Sequence, residues 1–321
     1  MQAKAYMRVN FTIAGAMALA LTLAAIFVTS LSLGAGAVPA ISAPAPAPAT
    51  EPQSGEESIA ALMQGQPYDG PAVATPRGLD GKPDFTGVWR PVREKGKPGG
   101  NLGKDYPGFR LPYTEAGKRA LLYSQNHTVD PEALCILGGI PRHNGSGLPF
   151  EVLHTPERIG FAYNYTTSRR IPIGKGRKVD PDAPRRYFGS SVAHWEGDTL
   201  VIATSKLFDS SHDSIWLDEN GDPTSNETSV IERWTRPDFH HFRLEMTVTD
   251  PKYFSEPVKY VRVWAAAPEG RGQAEYACNE ANLAIGNIGP GAGVIGPDGN
   301  RGYGKPAPLP AQPPGPEAYG L

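Results

Sequence analysis

Cysteine is nearly absent from this chain: Cys135 and Cys278 are the only two in 321 residues. Neither lies in a C-x-x-C or within ligand spacing of a second cysteine, which argues against a zinc ribbon and a thiol redox motif. Net charge is nearly absent as well. The formal charge is -2, with Lys+Arg 31 interspersed among Asp+Glu 33, so no global field favours nucleic acid or an anionic membrane. There is no Gly-x-Ser-x-Gly elbow, no His-Glu-x-x-His and no phosphate loop, which removes the commonest hydrolase, metalloprotease and kinase readings. No cofactor and no metal is expected. His240 and His241 are adjacent at a strand start and face opposite ways, so they cannot jointly hold an ion without a bend. Asp218, Asn220 and Asp222 imitate the opening of a calcium loop. The imitation fails at Pro223, where Gly is needed, and at Ser229, where a bidentate Glu is needed, and leaves a plain Asn-Gly turn.

What is present begins at the N-terminus. Lys4 and Arg8 form a positive start, and residues 10–50 carry no charge, with 11–33 almost wholly apolar or small. This is the pattern of an export signal. Cleavage is expected near Ala37 or Ala40; the alternative is an uncleaved anchor, since about 20 apolar residues span a bilayer. Export to the periplasm or beyond would permit a disulfide between Cys135 and Cys278, against the alternative of two separate buried thiols.

The Gly and Pro excess sits largely at the two ends, where no core can be built. Composition therefore divides the chain into a signal or anchor at 1–37, a Pro/Ala-rich linker at 38–77, one β domain at 78–283 and a Gly/Pro-rich tail at 284–321. Within the domain, period-two alternation marks strands at 150–154, 159–165, 190–195, 200–205, 229–234, 242–248 and 258–265. Turn residues separate them, among them Glu196-Gly197-Asp198 and Asn220-Gly221. Short connections favour antiparallel hairpins. The expected class is all-β with one or two short helices, an antiparallel barrel or sandwich, lipocalin-like in general architecture. One helix is expected after Thr114, a capping residue, with Glu115 in its first turn and Asn126 near its end. It would buttress one end of the barrel.

Several strings then carry a resemblance. Gly81-Lys82-Pro83-Asp84-Phe85-Thr86-Gly87-Val88-Trp89, Trp195-Glu196-Gly197-Asp198-Thr199-Leu200-Val201 and Glu275-Tyr276-Ala277-Cys278-Asn279-Glu280 resemble a largely uncharacterised family of exported bacterial proteins. The resemblance spans roughly residues 78–282 and implies export and a β-rich domain. It supplies no catalytic residues to carry over.

Candidate chemistry lies in two places. Residues 208–218 are dense in polar groups, and there His212 with Asp213 or Asp209 would form an acid-base pair, an Asp fixing the imidazole tautomer. A hydrogen-bonded turn set explains the same composition. Arg169, Arg170, Glu151, Tyr163, His194 and Trp216 are candidates for binding a ligand, with the arginines suited to a carboxylate. Alternation lets only one of Arg169 and Arg170 point inward, and a buried salt bridge is the structural alternative. Arg169, Arg170, Lys175, Arg177, Lys178, Arg185 and Arg186 lie along one Gly- and Pro-punctuated stretch, read either as a solvated loop or as an anion-binding rim. Two functions follow. In the first, an interior lined by Phe161, Tyr163, Tyr165, Trp216, Trp234, Tyr260 and Trp264 encloses a small apolar or aromatic molecule, although the same rings equally suit a solid core. In the second, a cofactor-free lyase, isomerase or hydrolase uses the His212 pair. The expected partner is a small-molecule ligand or substrate, with no nucleic acid, and a membrane only through an uncleaved N-terminal segment.

Overall fold

Alternation builds strands where the pattern marks them, and also in two places where it does not. The computed structural model describes residues 64–93, 100–164, 167–208, 215–268, 272–273 and 278. Its strands are β1 Gly87–Pro91, β2 Phe150–Thr155, β3 Arg158–Tyr163, β4 Thr167–Pro172, β5 Ser190–Glu196, β6 Thr199–Ser205, β7 Ser229–Thr235, β8 His241–Thr249 and β9 Val258–Ala266. The seven marked segments correspond to β2, β3 and β5 to β9. The additions are β1, which is short, and β4, whose Thr-Ser-Arg-Arg-Ile-Pro carries too few apolar residues to display a period.

Successive strands pair in turn within β1 to β4 and within β5 to β9, and β1 also pairs with β9, giving the order β4-β3-β2-β1-β9-β8-β7-β6-β5. The antiparallel sheet curls into a nearly closed barrel rather than a sandwich. Nine is an odd number, and strands alternating up and down around a ring cannot all be antiparallel when their number is odd. The mismatch falls between β4 and β5, which run in the same direction. They meet through a parallel bridge between Ile173 and Ala193 and through Gly174 N donating to Ala193 O at 2.8 Å. A parallel neighbour requires a crossover connection. Residues 173–189 supply it, travelling back along the barrel from the end of β4 to the start of β5.

The inward positions of the strands fill the barrel. Trp234 and Phe242 stack with ring centroids 4.6 Å apart, Phe150 meets Trp264 at 5.1 Å, and Phe161 meets Trp234 at 5.3 Å. Of the two readings of these rings, a lined pocket or a solid core, their mutual packing fits the solid core, because rings that reach one another gain dispersion contacts that an empty space forfeits. Each such buried ring contributes about 1.5–3 kcal/mol of transfer free energy. Of the remaining expected lining residues, Tyr165 lies outside the described residues. Trp216 sits in the β6–β7 connection, where its Nε1 donates to Thr128 Oγ1 at 3.3 Å.

One end of the barrel is stoppered by Phe85, which packs on Phe242 at 4.7 Å and Trp195 at 5.3 Å and whose carbonyl accepts from Trp89 Nε1. There β5 and β6 turn at Gly197, whose φ of +60° favours glycine. In the stretch that composition assigns to the linker, Gly65 N donates to Pro91 O at 2.9 Å, Thr75 Oγ1 donates to Arg236 O at 2.7 Å, and Arg77 pairs with Asp198.

The other end, where β6–β7 and β8–β9 connect, carries the helices. The main one, α1, is Glu115–His127, and Thr114 Oγ1 caps it by accepting from Gly117 N at 3.0 Å. A Cβ on Gly117 would lie 2.1 Å from Tyr253 O, so glycine lets the helix rest on the β8–β9 connection. Gln125 Nε2 donates to Asn220 O and joins α1 to the β6–β7 connection. A single turn, α2 Arg142–Gly145, lies wholly buried nearby. Cys135 and Cys278 are joined by a disulfide. Among the described residues no helix is long and apolar enough to cross a membrane.

Candidate functional site

The site grows out of the unfinished seam. In β4 the alternation directs Arg169 and Ile171 inward and Ser168 and Arg170 outward. Arg169 is 4% exposed and Glu232 of β7 is 0% exposed. They form a two-pronged ion pair, Nη1 to Oε1 at 3.1 Å and Nη2 to Oε2 at 2.8 Å. Arg169 Nη2 also donates across the seam to Ser191 Oγ of β5 and to Thr204 Oγ1 of β6. Glu232 Oε1 further accepts from Asn144 Nδ2 at 2.7 Å and from Trp234 Nε1 at 3.3 Å, and Tyr163 Oη donates to Asn144 Oδ1 at 3.1 Å. This polar layer sits on the aromatic core with both charges compensated, as burial demands. Burial disfavours the Arg169 charge, but Glu232 outweighs it and holds the guanidinium above its ordinary range. Burial pushes the Tyr163 hydroxyl up to about 12, so it stays protonated and donates.

Above the layer lies a cavity of about 580 Å³. Its walls come from both sides of the seam: Ser168 to Ile171 of β4, Arg185 to Gly189 of the crossover, Ser191 of β5, Phe208 after β6, and Leu137. The crossover is hooked onto the end of β6, Arg186 N donating to Lys206 O at 3.0 Å and Phe208 N donating to Arg186 O at 3.0 Å. Gly139 supports it from behind. With φ at +69°, and with an added Cβ only 2.0 Å from Tyr187 O, no larger residue fits there. Phe188 stacks on Tyr163 with centroids 5.6 Å apart and meets His143 edge-on at 5.0 Å, which ties the cavity wall to the polar layer.

A second ionic cluster braces the loop behind Leu137. Arg142 pairs with Asp130 at 2.7 Å and with Glu132 at 3.0 Å, and His143 Nδ1 lies 3.3 Å from Glu132 Oε1. Burial, reinforced by the Arg142 charge, lowers the His143 imidazole to about 3. Burial pushes the Glu132 carboxyl up to about 7. The Asp218 and Asp222 carboxylates are engaged elsewhere. Asp218 accepts from the N–H groups of Leu102 and Asn220, Asp222 accepts from the Tyr113 hydroxyl, and burial raises both. They act as a structural turn.

The sequence-derived candidates thus scatter. Arg169, Arg170 and Tyr163 gather at the seam. Glu151 and His194 do not join them: each occupies the outward phase of its strand, Glu151 beside inward Phe150 and Val152, and His194 paired with Glu196 at 3.2 Å. Trp216 is buried at the α1 end. His212, Asp213 and Asp209 lie outside the described residues; Phe208, which precedes them in the chain, lines the cavity. The residues that sequence reasoning missed are Glu232, Asn144, Ser191, Thr204, Tyr187 and Phe188. Glu232 left a usable signal, a carboxylate in the inward phase of β7 between Val230 and Trp234.

No family model and no curated protein matches the chain, so the reading of the site rests on its geometry.

Proposed function

We propose that this chain is an exported barrel protein that binds a small molecule with an apolar or aromatic body at the β4–β5 seam. The observation that carries the proposal is the cavity of about 580 Å³ at the one junction the barrel cannot close. Small-molecule sites occupy roughly 300–1,000 Å³ and combine apolar walls with a few placed polar groups. Here Tyr187, Phe188, Phe208, Ile171 and Leu137 supply the apolar wall, and arginine and serine side chains supply the polar part. The described rings pack against one another in the interior, whereas the seam offers room for a ligand. Export is supported by the charge-free N-terminal segment, and the disulfide suits an oxidising compartment.

The test is a calorimetric screen of aromatic and aliphatic compounds against the full chain and against Tyr187→Ala and Phe208→Ala. A ligand of this site binds one per chain and loses roughly tenfold in affinity when a ring is removed, the equivalent of about 1.4 kcal/mol. Unchanged affinity in both variants would place the ligand elsewhere and remove the proposal.

A further inference from the structure

The seam cavity is lined by four arginines, Arg169, Arg170, Arg185 and Arg186, and by no Asp or Glu among the described residues. The four are not equivalent. Arg169 is already matched by Glu232. Arg170, Arg185 and Arg186 have no carboxylate partner among the described residues, and they converge on one opening from two different segments, the outward face of β4 and the end of the crossover. Arg185 is anchored by a bond from its Nη1 to Leu207 O at 2.9 Å. Deeper in, the Arg169 guanidinium is held by Glu232, Ser191 and Thr204.

Three arginines with no carboxylate partner among the described residues, set around a partly enclosed, aromatic-walled space, concentrate positive potential there, even though the chain as a whole is nearly neutral. The same space has an apolar half, walled by Tyr187, Phe188 and Phe208, which a bare inorganic anion would not use. A long polyanion would need an extended basic track with no aromatic wall. What matches both halves is a compact organic molecule with a single planar oxyanion, whose two oxygens fit the fork of a guanidinium.

We propose that the seam cavity binds an organic carboxylate, with its head on Arg170, Arg185 and Arg186 and its apolar body against Tyr187, Phe188 and Phe208. This rests on the reading of the cavity as a small-molecule site and adds the chemical class of the ligand. Selectivity then comes from charge, and affinity falls as salt rises, because these arginines face solvent and are screened.

The experiment is isothermal titration of the full chain with 2-naphthoate and with decanoate, each against its neutral amide, with 2-naphthyl phosphate as the competing head group. Arg170→Gln and Arg186→Gln serve as variants; both side chains are exposed, and circular dichroism verifies that the barrel is retained. The expected result is that a carboxylate binds at least roughly tenfold more tightly than its amide, that each variant weakens the carboxylate by about that factor, and that the amide is unaffected. Amides binding as well as acids would overturn the anion assignment and leave the cavity reading standing. Naphthyl phosphate binding more tightly than naphthoate would overturn the carboxylate head. No binding of any probe would overturn both readings together.

Discussion

Arg169 and Arg170 are adjacent, chemically identical and differently placed: one closes a buried ion pair and the other faces water. The pleat alone separates them, as strict alternation requires. His143 shows the same sensitivity to surroundings. It is buried between the rings of Tyr163 and Phe188, and burial together with Arg142 brings its imidazole from the ordinary 6.5 to about 3. An unfolded chain takes up that proton near pH 6.5, whereas the native chain refuses it until about pH 3. His143 therefore contributes stability that is fully present above pH 6.5 and is lost as the pH falls toward 3. Glu132 has the opposite sign: its carboxyl is raised to about 7, so its contribution is present below 4.5 and lost as pH rises through 7. The comparison of a variant with its parent isolates the histidine. In urea unfolding between pH 6.5 and 3, His143→Gln should flatten the fall in stability by up to about 1.4 kcal/mol per pH unit. Parallel curves for the two proteins would show that His143 titrates normally.

At the scale of elements, β4 and β7 each carry a charge into the buried layer, and each does so on account of the other. Removing one partner leaves an uncompensated charge in the interior, at a cost of about 3–5 kcal/mol. Glu232→Gln and Arg169→Met are each expected to destabilise by that order. The double variant Arg169→Met/Glu232→Gln should lose clearly less than the sum, which a double-mutant cycle in denaturant measures directly. Additive losses would mean that the pair is not coupled. The strands themselves were unequally legible. Val258, Tyr260 and Trp264 of β9 display the inward phase openly, and Thr114 announces α1. By contrast β4 hides its phase because one of its two inward residues is an arginine, which reads as surface until Glu232 is seen opposite it. The candidate site was half visible for the same reason. The arginines were recognised as a group, but Tyr187 and Phe188 lie in a segment with no period, and no local pattern could place them against Phe208.

At the scale of the whole molecule, the disulfide joins positions 143 residues apart and spans most of the barrel. A cross-link closing so long a loop restricts the unfolded chain by about 5 kcal/mol in the chain-entropy model. Cys135→Ser/Cys278→Ser, or the parent under reducing conditions, should unfold at a markedly lower denaturant concentration, with a loss of about 3–5 kcal/mol. An unchanged midpoint would show that the bridge does not constrain the unfolded state. The second whole-molecule property is the parity of the ring. Nine strands leave one junction parallel, a parallel junction needs a crossover, and the crossover in this chain delivers Arg185, Arg186, Tyr187 and Phe188 to the gap.

By itself the sequence determined what is local: alternation, turn residues, the Thr114 cap, the absence of metal and nucleotide motifs, and hence an antiparallel β domain. Tertiary structure decided whether the interior is hollow or solid, which neighbouring arginine is neutralised, and where the cavity opens. The physical reason is that periodicity constrains a side chain relative to its own backbone. Ring closure and the pairing of Arg169 with Glu232 instead depend on how many strands there are and on which distant residues they bring face to face.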